Sequence, residues 1–373
     1  MIEVDGAFGS GGGQILRSAI SLSAVTKKPC RIFNIRKNRP KPGLAHQHLL
    51  GVQALSQLCN GRLEGDEISS EEIKFYPGEA YRERVSVDIP TAGSITLVLQ
   101  TLILPALFAP FPVEIKFNGG ATDTFFSPTI DYFRYVFLKI LEKTEAKVEV
   151  NILRRGYYPE GGAKVEVKIY PVKFTPYRNE VSGAGLKTLN LTEKGELKKF
   201  LVISGASEYL RTKKVAERQL AGAREILGKL KLPIEERVEY YQTDCPGSQI
   251  CLIVEFENTV IGTDNLGKLG KRAEDVGREA ALELLKEEKS GACLDRHLSD
   301  QVLPYLAMAK SKNQVTVSEL TPHSKTNIWV IEKFLNGKPS TKAGLGAGLV
   351  PHRNEVSGAG FKIKNNLISW VPF

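Results

Sequence analysis

The sequence has few cysteines, and none is paired at the spacing of a zinc or redox site. The five residues are scattered, odd in number and free of any C-x-x-C motif: Cys30, Cys59, Cys245, Cys251 and Cys293. This pattern argues against a disulfide framework and favours reduced thiols. The opening residues M-I-E-V-D-G also lack the basic and apolar regions of a signal peptide, so we predict a cytoplasmic protein.

No apolar run is long enough to span a membrane. The nearest candidate, residues 95–111, contains Gln100 and Pro105 and falls short of the roughly 20 apolar residues that a spanning helix needs. We therefore predict a buried helix in this region and no membrane partner. Hydrophobic residues make up 42% of the chain and charged residues 25%, which is typical of a folded globular protein.

The chain is long and basic. Its 373 residues exceed the roughly 250–300 that a single hydrophobic core supports, which predicts more than one packed unit. The net charge of +9 favours a polyanionic partner, because clustered lysine and arginine residues release counterions from phosphates. Lysine and glutamate are also enriched in proteins from hot environments, so the charge alone leaves both interpretations open.

Apolar residues at helical spacing recur in three pairs of segments. The pairs are 15–25 with 49–58, 95–102 with 130–140, and 298–306 with 328–334. Strand-like alternation lies between them, as in K-V-E-V-K-I at residues 164–169. The sequence therefore predicts an α+β fold in which a unit of one sheet and two helices is used three times.

The spacing of these pairs is uneven, because about 150 residues separate the second pair from the third. Residues 186–277 carry their own strand signals at 200–203 and 250–254 and a helical run at 213–230, which predicts a small inserted domain. The remaining residues, 1–185 and 278–373, then form a discontinuous domain that carries the repeated unit, with an atypical tail after about residue 344. A short repeat, R-N-E-V-S-G-A-G, occurs within residues 176–187 and again within 351–362, and we assign no function to it.

A glycine-rich stretch near the start, F-G-S-G-G-G-Q-I-L-R at residues 8–17, is the first candidate site. Gly11, Gly12 and Gly13 permit close backbone approach, and a helix beginning near Gln14 would direct free N–H groups at an anion. These features suit phosphate. The stretch lacks the G-K-[ST] ending of a P-loop, so a simple turn is the alternative.

A basic segment follows the glycine stretch. Residues 31–48 contain five cations with two further polar residues behind them: Arg31, Arg36, Lys37, Arg39, Lys41, Gln47 and His48. Arginine's planar fork suits phosphate oxygens, although a solvated edge strand would look the same. His46 and His48 are two residues apart and point in different directions on a strand or a helix, so we predict no shared metal ion.

Two further clusters contain histidine. One helical face would carry His297, Asp300 and Gln301, which have i, i+3, i+4 spacing. This polar face is either part of a binding site or simply the solvent-exposed side of the helix. His323 follows Thr321, which can cap a helix, and Pro322, which suits a first turn. The positive end of a helix would lower the pKa of His323 and keep its imidazole neutral and nucleophilic, unless the residue is purely structural.

Six motifs in register resemble those of the RNA 3′-terminal phosphate cyclases over residues 1 to about 340. They are G-S-G-G-G-Q-I-L-R, I-R-K-N-R-P-K-P-G-L-A-H-Q-H-L, P-T-A-G-S-I-T-L-V-L-Q-T, G-Y-Y-P-E-G-G, H-L-S-D-Q and P-H-S-K-T-N. The resemblance implies three repeats of a four-stranded sheet with two helices, similar to the C-terminal domain of translation initiation factor three. It also implies a small thioredoxin-like α/β domain inserted in the third repeat.

The same resemblance implies an activity. The family converts an RNA 3′-phosphate into a 2′,3′-cyclic phosphodiester with ATP as co-substrate and Mg²⁺ or Mn²⁺ as the metal. His323 lies at the position of the nucleophile that takes up AMP and releases pyrophosphate. The AMP would then pass to the RNA phosphate, and the neighbouring 2′-hydroxyl would close the ring and expel AMP.

The resemblance further assigns roles by position. The catalytic residues besides His323 would be Arg17, Arg39 and Gln47. The ATP-binding residues would be Gln100, Pro128, His297, Leu298, Ser299, Asp300 and Gln301. The residues that bind phosphate or RNA would be Gly11, Gly12, Gly13, Gln14, Arg36 and His48.

The chain departs from the family pattern at three places. Ser10 stands where the family commonly has a glutamate linked to metal binding. His297 stands where the family usually has a tyrosine. The aromatic wall for adenine, which the inserted domain normally supplies, has no clear counterpart within residues 258–270.

Two rival functions come from related folds. Relatives that act in ribosome assembly lack the nucleophilic histidine, and His323 within P-H-S-K-T-N argues against that class. Enolpyruvate transferases have a comparable repeated architecture but require neither this histidine nor the inserted domain. The oligomeric state is open, with a homodimer as one alternative.

Overall fold

The computed structural model describes residues 1–172, 185–228, 233–309, 311–335 and 360–371. The helices are α1 Gly13–Thr26, α2 His46–Leu58, α3 Ile95–Leu107, α4 Ile130–Tyr132, α5 Leu138–Glu142, α6 Val215–Leu227, α7 Ala273–Lys289, α8 Arg296–Ala307 and α9 Pro322–Leu335. A π-helical turn, Phe133–Phe137, joins α4 to α5. Most of both copies of the R-N-E-V-S-G-A-G repeat lies outside the described residues.

Within the described residues the strands form four sheets of four strands each. Their bounds are β1 Ile2–Asp5, β2 Cys30–Phe33, β3 Arg62–Glu64, β4 Ile73–Tyr76, β5 Arg84–Ser94, β6 Val113–Ala121, β7 Lys147–Arg154, β8 Lys164–Tyr170, β9 Asn190–Leu191, β10 Leu197–Ser207, β11 Ile234–Tyr241, β12 Ser248–Phe256, β13 Val260–Leu266, β14 Asn313–Thr316, β15 Gly360–Lys364 and β16 Leu367–Val371.

Three of the sheets share one topology. Their strand orders are β1-β2-β4-β3, β5-β6-β8-β7 and β9-β14-β16-β15. In each, the first two strands are parallel, the fourth strand is antiparallel to the second, and the third strand closes the edge. The predicted α+β fold with a repeated unit of four strands and two helices is confirmed.

Most of the apolar run at residues 95–111 forms the buried helix α3, which ends at Leu107. Ser94 caps this helix, since its Oγ accepts a hydrogen bond from Leu97 N at 3.3 Å. All but one of its residues are buried, and the exception is Gln100. Among the described residues no helix is long and apolar enough to cross a membrane.

The fourth sheet, β11-β10-β12-β13, lies between β9 and α8 along the chain. Side chains alternate along β10: Phe200 and Val202 pack with α6 and α7, whereas Leu201 and Ile203 join the main core. Both faces of this sheet are therefore covered. The packed elements run from 197 to 289, while the predicted insertion is 186–277; its boundaries and its thioredoxin-like assignment stay predictions.

A buried ion cluster joins the second sheet to the fourth. The guanidinium of Arg155 donates to Asp123 Oδ2 at 3.2 Å and to Asp131 Oδ1 at 2.6 Å, and it lies 4.4 Å from the ring centroid of Tyr241. All three charged side chains are at least 95% buried. Burial raises the pKa of Asp123, and the positive charge of Arg155 opposes that rise.

Replacing Arg155 with alanine should lower the free energy of unfolding by about 3–5 kcal/mol, because two carboxylates would remain buried without their cation. Denaturant titration would measure the change. The matched control is Lys116→Ala on the same sheet, where the Lys116–Glu166 pair is largely exposed. That control should cost at most about 1 kcal/mol; equal losses for the two variants would contradict the prediction.

Candidate active site

The glycine stretch packs against the start of α9. Gly9 and Gly11 adopt φ of 55° and 54°, a left-handed conformation that favours glycine. A Cβ on Gly9 would lie 2.3 Å from Thr326 Oγ1, and Ser10 N donates to the same oxygen at 3.2 Å. Gly12 is extended and α1 begins at Gly13, so the free N–H groups of α1 lie beside the first turn of α9.

His323 occupies that first turn. Thr321 Oγ1 accepts from Ser324 N at 3.0 Å, which confirms the predicted cap. The imidazole is accessible to solvent, and two polar groups contact its Nδ1. Gln14 Oε1 lies 2.7 Å from this nitrogen and Ser10 Oγ lies 3.2 Å from it.

A chain of hydrogen bonds sets the tautomer of His323. Gln14 Nε2 donates to Asp300 Oδ2 at 3.0 Å, so the amide must present its oxygen to the histidine. An amide oxygen only accepts, and Nδ1 must therefore carry the proton. The neutral ring then keeps a free lone pair on Nε2, which is the form that a nucleophile requires.

Positive charges surround the histidine. A Cβ on Gly12 would lie 3.4 Å from Arg39 Nη2 and 3.8 Å from His323 Cε1, so the guanidinium and the imidazole both border this glycine. Partial burial lowers the pKa of His323, and Arg17 and Arg39 lower it further. Burial also lowers the pKa of Arg17 to about 10, against the opposing charge of Asp300. The arrangement favours a neutral imidazole next to an anion-binding surface.

A second polar group lies where α3 meets α8. Gln100 Nε2 donates to Gln301 Oε1 at 3.1 Å, and Gln301 Nε2 donates to the carbonyl of His297 at 3.0 Å. Thr96, one turn before Gln100, donates to the carbonyl of Pro128 at 2.9 Å. These contacts bring four of the predicted ATP-binding residues to one region.

A cleft connects the two polar groups. Helices α1, α3, α8 and α9 pack together and enclose it. Its lining includes Gln14, Arg17, Gln100, Asp300, Gln301 and Asn327. Because this lining carries both an arginine and several amide groups, it suits a phosphorylated ligand with further polar groups.

Comparison with known proteins identifies the family of this chain. Residues 8–340 match the sequence profile of the RNA 3′-terminal phosphate cyclases. The chain belongs to the RNA 3′-terminal phosphate cyclase family. The predicted family is thus confirmed, and with it the assignment to an enzyme class.

Curated relatives carry the same name as the family. The RNA 3′-terminal phosphate cyclase of Pyrococcus furiosus is 44% identical over 93% of this chain and 96% of its own length. That of Sulfolobus acidocaldarius is 44% identical over 92% and 97%, and that of Ignicoccus hospitalis is 43% identical over 90% and 93%. The similarity to these cyclases therefore spans nearly the whole of each protein.

Some residues that the cyclase motifs select face inward. Leu298 lies in the hydrophobic core, and Ser299 Oγ is 2.9 Å from Ser324 Oγ, where it supports the start of α9. His48 is buried against Gly13, since a Cβ there would lie 2.0 Å from His48 Nε2. Burial lowers the pKa of His48 to about 3, with Arg17 and Arg36 acting in the same direction. The roles of these residues in cyclase chemistry stay predictions.

Three further predicted residues, all from the basic segment, lie outside the lining of the cleft. Arg36 Nη1 donates to the carbonyl of Gly43 at 2.8 Å, which ties down the basic loop. Gln47 lies beside Gly93, since a Cβ on that glycine would lie 3.6 Å from Gln47 Cβ. Arg31 pairs instead with Glu3 and Glu72 on the sheet surface.

Sequence reasoning did not assign two residues that hold the helices of the candidate site together. Asn327 Nδ2 donates to the carbonyl of Asp300 at 2.7 Å and so ties α9 to α8. Asp295 caps α8 by accepting from His297 N and Leu298 N, and it also accepts from Tyr132 Oη at 2.6 Å. The aspartate directly before H-L-S-D-Q is a recognisable helix cap, and Asn327 follows His323 by one turn; these were the available signals.

The described residues form no cluster of three or more histidine, cysteine or acidic side chains that could enclose a metal ion. Ser10, at the position linked to metal binding in the cyclase family, contributes only a hydroxyl near His323 and Thr326. Mg²⁺ commonly keeps several waters and binds through substrate phosphates rather than through an all-protein cage. The requirement for Mg²⁺ or Mn²⁺ stays a prediction.

Proposed function

We propose that the protein converts an RNA 3′-terminal phosphate into a 2′,3′-cyclic phosphodiester at the expense of ATP. The observation that carries this proposal is the hydrogen-bonded chain from Asp300 through Gln14 to His323 Nδ1. It leaves Nε2 unprotonated and directed away from the protein amide. The names of the relatives support the same reaction.

The first step is the transfer of AMP to the protein. His323 Nε2 attacks the α-phosphorus of ATP, a P–N bond forms, and the bond to pyrophosphate breaks. Arg39 and Arg17 stabilise the negative charge that accumulates on the phosphoryl oxygens, since both guanidiniums lie close enough to depress the pKa of His323. Asp300 stabilises the imidazolium character that develops, because it anchors the amide that accepts from Nδ1–H.

The second and third steps act on the RNA. An oxygen of the 3′-phosphate attacks the α-phosphorus of the histidine-bound AMP, which frees His323 and leaves the RNA end joined to adenosine through a diphosphate. The 2′-hydroxyl then attacks the RNA phosphorus, loses its proton and expels AMP. Closure is intramolecular, so correct orientation supplies much of its rate.

Labelled nucleotide tests the proposal directly. The protein is incubated with ATP labelled at either the α- or the γ-phosphate, in the presence of Mg²⁺ or Mn²⁺. An acid-labile label should appear on the protein from the α-position alone, because the γ-phosphate leaves with pyrophosphate. An assembly factor or an enolpyruvate transferase would take up neither label, and label from the γ-position would indicate phosphorylation instead.

The pH dependence of AMP transfer should follow Asp300. Burial raises the pKa of this carboxyl to about 6, with His297 and Arg17 opposing the rise, so the group is ionised above that pH and protonated below it. Protonation weakens the acceptor that orients Gln14, so the amide holds the imidazole of His323 less firmly. We expect the initial rate of AMP transfer to fall as the pH drops through about 6.

Replacing Asp300 with asparagine should slow AMP transfer at pH 7.5 by about tenfold or more, since hydrogen bonds to charged groups contribute about 1.5–3 kcal/mol. The variant should also lose the decline near pH 6, because the titrating group is gone. Asp88→Asn, at an exposed carboxylate on β5, is the matched control and should keep the normal profile. An unchanged profile in Asp300→Asn would show that another group controls the rate.

A further inference from the structure

An exposed aromatic pair lies next to the nucleophile. The rings of Phe8 and Trp329 stack with centroids 4.0 Å apart and an interplanar angle of 13°. Phe8 is 42% exposed, although one face of its ring is covered by the indole. The face of the Phe8 ring that points away from Trp329 is therefore open to solvent and could stack against the flat ring of a ligand.

The pair lies within a short distance of the proposed chemistry. Phe8 lies two residues before Ser10, and the hydroxyl of Ser10 contacts His323. Trp329 follows His323 by six residues on α9, which is about 9 Å along the helix axis. At about 3.4 Å per stacked nucleotide, this distance corresponds to two or three nucleotides of a single strand.

Lysine residues flank the aromatic pair. Lys325, Trp329 and Lys333 are spaced four residues apart and share one face of α9. Lys325 is exposed, and Lys333 Nζ lies 4.6 Å from the indole centroid. Glu332 is the one acidic residue of this helix, so the net charge of the helix side chains is positive.

We propose that this surface binds single-stranded RNA just behind the 3′ end. A base two or three nucleotides from the terminus stacks on the free face of Phe8, and the ammonium groups of Lys325 and Lys333 neutralise the adjacent phosphates. Aromatic platforms flanked by cations bind single strands with little dependence on base identity. The inference rests on the proposed function, since it places the strand whose terminal phosphate meets His323.

A second copy of this chain is the competing occupant. A symmetric dimer through this face would bring each patch against its own copy, and Lys325 and Lys333 would meet the same lysines of the partner. Like charges in contact oppose such association. RNA has the complementary charge and supplies flat rings, so the charge pattern favours RNA.

Steady-state cyclisation of RNA 3′-phosphate tests the stacking. Phe8→Ala should raise the KM for RNA by about fivefold to about a hundredfold, which corresponds to the loss of one base–aromatic stack. Phe8→Tyr should restore the normal KM. Tyr209→Ala removes an exposed aromatic ring from the segment after β10 and serves as the matched control. A normal KM in Phe8→Ala would overturn the inference.

RNA with a single abasic nucleotide locates the stacked base. Removing the base two or three positions from the 3′ end should raise the KM of the wild-type protein and leave that of Phe8→Ala unchanged. Lys325→Ala and Lys333→Ala should each reduce the slope of log affinity against log salt by about 0.7, the value for one phosphate contact on a single strand. Equal sensitivity to abasic positions in wild type and Phe8→Ala would contradict the stack.

Two further readouts separate the possible failures. AMP transfer from ATP in the absence of RNA reports on the proposed function alone; if the wild-type protein takes up no AMP, the proposed function itself fails. If AMP transfer is intact but RNA binding ignores Phe8 and both lysines, only the present inference fails. Sedimentation compares the mass of the assembly in the wild-type protein and in Phe8→Ala. A different mass in the variant, together with an unchanged KM for RNA, would assign the surface to a protein partner and overturn the inference.

Discussion

Replacing His323 with alanine should abolish labelling of the protein by α-labelled ATP. The methyl group offers no lone pair, and the Arg39 guanidinium, which also borders Gly12, has only N–H donors and cannot replace the nucleophile. We expect overall cyclisation to fall by at least about three orders of magnitude, as is common when a covalent nucleophile is removed. The measurement is acid-labile label retained on the protein, followed by assignment of the adenylylated residue by mass spectrometry.

The matched control is His46→Ala. His46 is an exposed histidine at the start of α2, and its removal changes the same residue type without touching the Gln14 contact. Stability should be compared for both variants, because His323 forms hydrogen bonds with Ser10 and Gln14. AMP found on another residue, or turnover intact in His323→Ala, would refute the proposed mechanism.

The helices of the repeated unit were predictable because their apolar faces have a strong period. Residues 15–25 lie within α1 and residues 298–306 lie within α8, and the apolar residues at helical spacing in both segments are buried. The inserted sheet was harder to delimit. Its strand β10 is apolar on both faces, and β9 contributes only two residues to the third sheet, so periodicity gives no sharp boundary there.

The candidate site was predictable as a set of motifs but not as a mechanism. The sequence separates Gln14 from Asp300 by 286 residues and from His323 by 309 residues. Only the packing of α1, α8 and α9 brings the three side chains into one chain of hydrogen bonds. The family resemblance assigned Gln14 to phosphate or RNA binding, and that role stays a prediction. Its amide also connects a carboxylate to the imidazole, a contact that depends on which atom faces which neighbour and leaves no pattern in the sequence.

The lowered pKa of His323 was predictable from the sequence, but its main causes were not. A helix start was expected to lower the pKa of His323, and the pKa is lowered, but partial burial is the main cause and two arginines add to it. Arg39 lies in a loop 284 residues before the histidine, and Arg17 belongs to another helix. Neither spacing nor composition reveals that these charges converge.

RNA ending in a 3′-phosphate should discharge the AMP from the protein, whereas the same RNA ending in a 3′-hydroxyl should not. The phosphate supplies an anionic oxygen that attracts Arg17 and Arg39 and attacks the α-phosphorus, while a hydroxyl brings neither charge nor comparable nucleophilicity. We expect the two discharge rates to differ by more than about a hundredfold, since positioning and charge stabilisation are lost together. Protein is labelled first, freed of ATP, and then mixed with each RNA; equal discharge would overturn the substrate assignment.

A third RNA separates activation from ring closure. With a 3′-phosphate but no 2′-hydroxyl on the terminal ribose, the AMP should still leave His323 and should accumulate on the RNA as a diphosphate-linked adenosine. The ring cannot close, because the attacking 2′-oxygen is missing. Water could attack the same phosphorus only as an intermolecular nucleophile, so it would react much more slowly than a neighbouring hydroxyl. Release of free AMP at the normal rate from this RNA would mean that the protein hydrolyses the activated end, and the 2′-hydroxyl would then have no part in the final step.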